Sequence, residues 1–300
     1  MITIYGINKI RKFKNPVVAL GVFDGVHRGH EEILRAAVAG ARLLRGTSIV
    51  LTFWPHPQGE KSLSSLAHRL RLMEELSIDV CVVVNFSSSF SSMRASDFVK
   101  NILVKKLSAK YIYIGRDFRF GKGASGSFDL LKALGERYGF KTRRFNIVKH
   151  NGKPISSTLI RRMISRGRIK EAEGLLGRPV SILGTVARGT SLGRIIGFPT
   201  ANINPHHEVI PAEGIYAARV ILGRNQLKGA CYIGKRPTLR LRNKKTTVEV
   251  HILKFNENIY KKDLEIQFVK RIRQDKKFTS LSALSRQIRK DLIMVKKIFS

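Results

Sequence analysis

Two histidines three residues apart, His27 and His30, stand in the stretch GVFDGVHRGH, residues 21–30. At that spacing, around the start of a helix, both imidazoles can reach one group of phosphate oxygens. There they can donate hydrogen bonds to charge that builds as a phosphate ester breaks. The flanking residues suit such a ligand. An apolar run, Val17 to Leu20, precedes the turn, and HEEILRAAVAGARLL follows it with helical spacing at Ile33, Leu34, Ala37, Val38 and Ala41. A strand, a glycine-rich turn and a helix start together aim unpaired backbone N–H groups at an anion. Gly21, Gly25 and Gly29 allow close approach of a ligand or a positive φ. No zinc-ligand set completes the histidine pair, because Cys81 and Cys231 are remote and no HExxH occurs.

The elements that must hold this turn alternate. PVVALGVF, TSIVLTFWP, VCVVVNF and YIYIG read as strands, separated by the helical patterns HEEILRAAVAGARLL, LAHRLRLMEELS and ASDFVKNILVKKL. Such alternation with short connections implies a parallel sheet with helices on its faces. PISSTLIRRMISRGRIKEAEGLLGRP continues in helical segments to a Gly-Arg-Pro stop. After Pro179 the pattern changes. VSILGTVA, GIYAARVILG, LKGACYIG, TTVEVHILKF and DLEIQFVKRI are strand-like runs separated by Gly, Pro and Asn turns, and SLSALSRQIRKDLIMVKKIF closes the chain as a helix. Strands at that spacing point to an antiparallel sandwich or barrel. The division expected is 1–180 and 181–300.

Three hundred residues with 43% hydrophobic content are globular, and no apolar run is long enough for a transmembrane helix. The first twenty residues lack the order of a secretory signal. Two cysteines in apolar runs are expected to be buried free thiols of a cytoplasmic protein. The net charge of +35 points to polyanionic partners: nucleic acid, anionic lipid or phosphorylated small molecules. Thirty-two basic and thirteen acidic residues precede Pro179, and twenty-four and eight follow Arg178, so no single basic tail carries the excess.

GVFDGVHRGH resembles the signature of the HxGH nucleotidyltransferases, itself similar to the HIGH element of class I aminoacyl-tRNA synthetases. FWPHP (53–57), IGRDFRFGKGASG (114–126) and ISSTLIR (155–161) occur in the order found in bacterial FMN adenylyltransferase domains. GRIIGFPTANI (193–203), PAEGIYA (211–217), IGKRPT (233–238) and VEVHILKF (248–255) resemble riboflavin kinase. Together these motifs identify a member of the bifunctional riboflavin kinase/FAD synthetase family. The resemblance implies a Rossmann-like nucleotidyltransferase domain with a parallel sheet, then a small antiparallel β-barrel kinase domain with a C-terminal helix. It implies that the FMN phosphate attacks the α-phosphate of ATP. Gly21, Phe23, Gly25, His27 and His30 would bind the ATP, the two histidines stabilising the leaving pyrophosphate. Ser157, Thr158 and Arg161 of ISSTLIR would clamp phosphate, though Ser157 reads equally as a plain helix cap. Asp117 would bind the ATP ribose or the flavin, and Asp24 would support the turn; neither is expected to be a general base. Pro55, His56, Pro57, Phe118 and Phe120 would line the flavin pocket, with a core role for the two phenylalanines as the alternative. Position 127 departs from the family, which usually ends this loop Gly-Asp where the chain has Gly126-Ser127.

For the kinase, the resemblance makes Glu249 the base that takes the proton of the ribityl 5′-hydroxyl. Thr200 and Asn202 of GFPTAN would offer oxygens to Mg²⁺ beside the ATP phosphates. Gly193 and Arg194 would contact ATP, and Gly197 and Phe198 the flavin. Several family positions differ. Lys254-Phe255 stands for Asp-Phe, Ile259-Tyr260-Lys261 for Leu-Tyr-Gly, and Arg273-Gln274-Asp275 for Arg-Asp-Glu. The expected partners are ATP, riboflavin and FMN, with no specific nucleic acid and no membrane, in a monomer or weak oligomer. Two alternatives are an adenylyltransferase with an impaired kinase, and a basic nucleic-acid-binding protein on an old enzyme scaffold. The latter lacks support from helix-turn-helix, zinc-finger or RNP-type patterns.

Overall fold

In a computed structural model, described over residues 1–59, 61–189, 192–206, 209–235 and 246–300, the chain divides into two compact units. One comprises 1–62 and 66–157, the other 63–65 and 158–300.

The first unit is a six-stranded sheet of β1 (Ile2–Tyr5), β2 (Val17–Leu20), β3 (Ser48–Trp54), β4 (Val80–Asn85), β5 (Tyr111–Gly115) and β6 (Lys141–Phe145). The order is β1-β4-β3-β2-β5-β6, with every pair parallel. Both faces are covered, so the central strands are continuously apolar, and alternate residues go to opposite cores. Val18, Leu20, Leu51, Val82 and Ile114 enter one cluster, and Val17, Ala19, Val50, Cys81 and Tyr113 the other. Helix α1 (Arg28–Leu43) covers the second face and buries Ile33, Leu34, Ala37, Val38 and Ala41, the five positions its periodicity predicts. Helix α2 (Leu66–Glu75) lies on the same side. Opposite, Ala95–Phe98 continues into π-type turns over Val99–Lys106, joined by helix α3 (Phe128–Tyr138). Ser127 caps α3, its hydroxyl accepting from Leu130 N at 3.2 Å. That gives the departed position 127 a structural use. A two-residue hairpin, β7 (Lys149–His150) and β8 (Lys153–Pro154), follows the sheet.

Helices α4 (Ser157–Ser165) and α5 (Ile169–Leu176) come next, and Gly177 ends α5 in the left-handed conformation. The second unit is a closed antiparallel barrel of β9 (Ser181–Ala187), β10 (Ala201–Asn204), β11 (Gly214–Leu222), β12 (Asn225–Lys235), β13 (Thr246–Ile252) and β14 (Asp263–Arg273). Strand β9 closes the ring by pairing with both β10 and β14. Val248, Val250 and Ile252 face the interior with Cys231, Ile233, Leu264, Ile266 and Phe268, while the residues between them face outward. Helix α6 (Leu281–Phe299), capped by Ser280, packs on β11, β12 and β14. Its buried residues are Asp291 and Val295. Both cysteines are buried free thiols, as the sequence predicts. Residues 190–191 of the kinase glycine loop and 236–238 of IGKRPT lie outside the described residues.

Candidate active sites

Strand β2 ends at Leu20, and Gly21 N donates to Leu51 O at 3.2 Å. The chain then turns through Phe23 (φ 52), Gly25 (φ 76) and Val26 (φ 37). Glycine takes the left-handed region freely, but each of the two side-chain-bearing residues costs about 1–2 kcal/mol there. Such strain persists only where the surroundings over-determine it. Both side chains are buried in the α1-side core. Any direct contact of Phe23 with a nucleotide is therefore through its backbone.

His27 caps α1: its Nδ1 accepts from His30 N at 3.3 Å. That acceptor role places the proton of the neutral ring on Nε2. The His27 and His30 rings stack with centroids 3.6 Å apart and 17° between planes. Phe23 meets His30 edge-on at 5.4 Å. Two imidazoles are thus fixed face to face at a helix N-terminus, where the helix dipole also favours negative charge.

Beneath the turn lies an ion pair that periodicity did not reveal. Arg69 of α2 is fully buried, and its Nη2 is 3.6 Å from Oδ1 of Asp24, itself 2% exposed. Arg69 Nη1 donates to Val22 O at 2.9 Å, and Thr52 Oγ1 donates to the same carbonyl at 2.8 Å. The guanidinium lies 5.6 Å from the Trp54 ring. Burial lowers the Arg69 pKa, and Asp24 opposes that shift. The expected supporting role of Asp24 thus acquires a specific partner. The available signal was a cation on the apolar stripe of α2, three residues after Leu66 and four before Met73.

Ser157 Oγ donates to Asp24 O at 3.1 Å, so the ISSTLIR segment holds the same turn from its backbone. Thr158 is exposed and Arg161 half-buried; both fall in the second unit. Among the flavin candidates, Pro55 is exposed, and His56 and Pro57 are half-buried. His56 Nδ1 accepts from Gln58 N at 3.2 Å. Asp117 is exposed, Phe118 half-buried and Phe120 6% exposed. Phe118 and Phe120 stack at 6.1 Å, and Phe120 continues through Phe98 into the core. Phe120 is a core residue in this arrangement; Phe118 borders that core and keeps a partly open face.

In the barrel, Asn202 and Glu249 are direct partners across β10 and β13, so their side chains share the outer face. Thr200 Oγ1 donates to Glu249 Oε2 at 3.2 Å. Gly189 leaves room for the Asn202 amide: a Cβ there would meet Nδ2 at 2.0 Å. Phe198 N donates to Gly193 O at 2.7 Å, closing the short loop that exposes Arg194 and Gly197. The half-buried Phe198 ring meets His251 edge-on at 6.1 Å, and a ring nitrogen of His251 is 2.8 Å from Pro199 O. Tyr232 is Glu249's partner on the other side, across β12, and its hydroxyl donates to Asp275 Oδ2 at 3.1 Å. Burial, then Asp275, push that phenol up. The outer face of three adjacent strands therefore gathers Thr200, Asn202, Glu249 and Tyr232. This oxygen-rich group suits a hard cation. No cluster of three or more His, Cys, Asp or Glu residues able to hold a metal occurs among the described residues.

The family model described as FAD synthetase matches residues 9–159, and that described as riboflavin kinase matches 176–299. A bifunctional riboflavin kinase/FMN adenylyltransferase of Buchnera aphidicola is 36% identical over 99% of this chain and 98% of its own. One from Escherichia coli K12 is 36% identical over 94% and 92%. The chain belongs to the bifunctional riboflavin kinase/FMN adenylyltransferase family. Like other members, it phosphorylates riboflavin to FMN and adenylylates FMN to FAD. A solved structure described as a macrolide-efflux protein from Streptococcus pneumoniae shares the fold, with TM-score 0.85, 30% identity and 99% of both chains covered. The efflux description belongs to that protein. In this riboflavin kinase/FMN adenylyltransferase, no helix among the described residues is long and apolar enough to cross a membrane.

The departures from the family pattern fall at defined places. Lys254 and Lys261 both carry positive φ, 53 and 65. Arg273 pairs with Asp291 of α6, Nε to Oδ1 at 2.9 Å and Nη2 to Oδ2 at 2.8 Å, and Asp275 serves Tyr232. These tertiary pairs leave no periodic trace in the sequence.

Proposed function

We propose that FMN is adenylylated at the His27/His30 stack and riboflavin phosphorylated at Glu249, with Thr200 and Asn202 beside it. What supports this assignment is that each unit holds its own cluster of polar side chains, the stacked histidines in one and the Thr200–Glu249 contact in the other. We place the functional division at 180/181. It counts the ISSTLIR clamp with adenylyl transfer, although Thr158 onward clusters with the barrel.

At the first site a phosphate oxygen of FMN attacks the α-phosphorus of ATP. The bond to the bridging oxygen of the β-phosphate breaks, and pyrophosphate leaves. His27 Nε2–H and His30 donate to the oxygens that gain charge, as do the first N–H groups of α1. Ser157 keeps the turn in place through Asp24 O, while Thr158 and Arg161 bind phosphate. Gly21, Gly25 and the Phe23 backbone line the nucleotide; Pro55, His56, Pro57, Asp117 and Phe118 border the flavin.

At the second site Glu249 accepts the 5′-hydroxyl proton as that oxygen attacks the γ-phosphorus, ADP leaves, and the proton passes to solvent. The Thr200 hydroxyl fixes the Glu249 carboxylate. Gly193 and Arg194 contact ATP, and Gly197 and Phe198 the flavin. Mg²⁺ held by Thr200 and Asn202 oxygens would neutralise charge on the transferring phosphate. Two buried free thiols fit a reducing cytoplasm, and we propose a monomer or weak oligomer with no specific nucleic-acid partner.

Chromatography of flavins tests the assignment. Glu249→Ala should leave riboflavin unconverted yet still turn FMN into FAD, and His30→Ala should accumulate FMN. Loss of the opposite step in either variant would overturn it.

A further inference from the structure

We infer that Arg69 is a positioning residue for adenylyl transfer, holding the GVFDG turn in the left-handed form that sets His27 against His30. The inference rests on the histidine stack being the adenylyl site. Arg69 occupies an apolar helix stripe where a leucine or methionine would bury as well, and a buried guanidinium is retained only against a desolvation cost. What it holds there is specific. Its Nη1 takes the carbonyl of Val22, just before Phe23, while its Nη2 faces the carboxylate of Asp24, just after it. Phe23 is thus bracketed by two attachments to one rigid group, and it is the first of the left-handed residues. The Phe23 ring supports His30, and Val26 leads directly into His27. Relaxing φ at Phe23 would therefore move both imidazoles.

The attachment also has slack. Among the described residues Arg69 Nε and Nη2 have no hydrogen-bond partner, and the 3.6 Å gap to Asp24 exceeds hydrogen-bond length. A movement of roughly half an ångström would convert the ion pair into a charge-assisted hydrogen bond. The turn can tighten onto α2 when the triphosphate draws it in. Riboflavin phosphorylation is assigned to Glu249, which is not among the groups that Arg69 bonds, so FMN formation by the same chain serves as an internal control.

The test compares Arg69→Met, Arg69→Lys, Asp24→Asn, the Asp24→Asn/Arg69→Met pair and His30→Ala in FMN-fed and riboflavin-fed reactions. Urea unfolding followed by far-UV circular dichroism reports the folded fraction of each variant, because Trp54 lies 5.6 Å from the Arg69 guanidinium and would respond to the substitution itself. Arg69→Met should lower kcat for FAD formation about a hundredfold, the scale of a 1 Å misplacement, with the KM for ATP changed less than about threefold. Arg69→Lys keeps the charge but cannot bridge both attachments, and should lose about tenfold. The double variant should be no worse than Arg69→Met, because the two residues act as a unit. FMN formation should be unchanged throughout. Wild-type kcat in Arg69→Met, a loss that only tracks the folded fraction, or additive losses in the double variant would overturn the inference. If His30→Ala still makes FAD, the site assignment itself fails. If His30→Ala is inactive while Arg69→Met is normal, the site stands and the role of Arg69 does not.

Discussion

Lys261 sits where the resemblance leads one to expect glycine, and its φ of 65 keeps the conformation glycine would have supplied. Lys261→Gly should therefore stabilise the barrel by about 1 kcal/mol, read as a higher urea midpoint, because it removes the left-handed penalty of a side-chain-bearing residue. The substitution tests whether this departure costs more than stability, since kinase kcat should stay the same if it does not. Cys81 supplies a second prediction. Burial pushes its thiol up to about 12, whereas the unfolded thiol ionises near 9. Between those values the unfolded chain binds fewer protons, so stability falls as pH rises, by up to about 1.4 kcal/mol per unit. The fall in urea midpoint from pH 8 to pH 10 should be smaller in Cys81→Ala, the remainder coming from other groups that burial raises, Cys231 among them.

Helix α6 is tied to the barrel by Asp291, 3% exposed and held by both Arg273 and Gln287. Asp291→Ala leaves the Arg273 cation without its carboxylate and should cost about 3 kcal/mol or more. Calorimetry of Asp291→Ala would show it, and an Arg273→Met/Asp291→Leu pair should recover most of the loss. The strands the sequence showed clearly are those buried on both faces. Strands β2 to β5 read as largely apolar runs because their central residues are buried; the polar exceptions, Ser48 and Thr52, each donate a hydrogen bond. The edge strands β1 and β6 and the short barrel strand β10 did not read so. KTRRF of β6 has one buried residue, and its basic side chains lie over aromatic rings, Arg143 over Phe145 at 4.6 Å and Arg144 over Phe128 at 4.7 Å. ITIY of β1 and ANIN of β10 are four residues each, too short for a period to show. At the sites the motif residues were legible through the family pattern. Arg69, Tyr232 and Asp291 were not, because their roles are set by partners distant in the chain.

For the molecule as a whole, the charge of +35 is distributed unevenly: from Arg137 to Lys170 there are eleven basic residues and no acidic one. That stretch contains the ISSTLIR segment proposed to clamp phosphate, so a positive field would concentrate ATP and FMN near it. The kcat/KM of FAD formation should then fall as salt rises from 20 to 300 mM at about constant kcat, since screening lengths shrink over that range; unchanged kcat/KM would remove steering as the reason for the charge. The topology carries a consequence for synthesis. Ile2–Tyr5 must wait for Val80–Val83, but the sheet's last partner, Phe145, emerges long before the barrel can close on Arg273. At ribosomal speeds of about 5–20 residues per second, that interval lasts roughly 6 to 26 s. The nucleotidyltransferase sheet has that time to assemble before it shares the chain with a competing set of strands. A pause during translation between the two halves would do it no harm, whereas one inside the barrel would leave unclosed edges exposed.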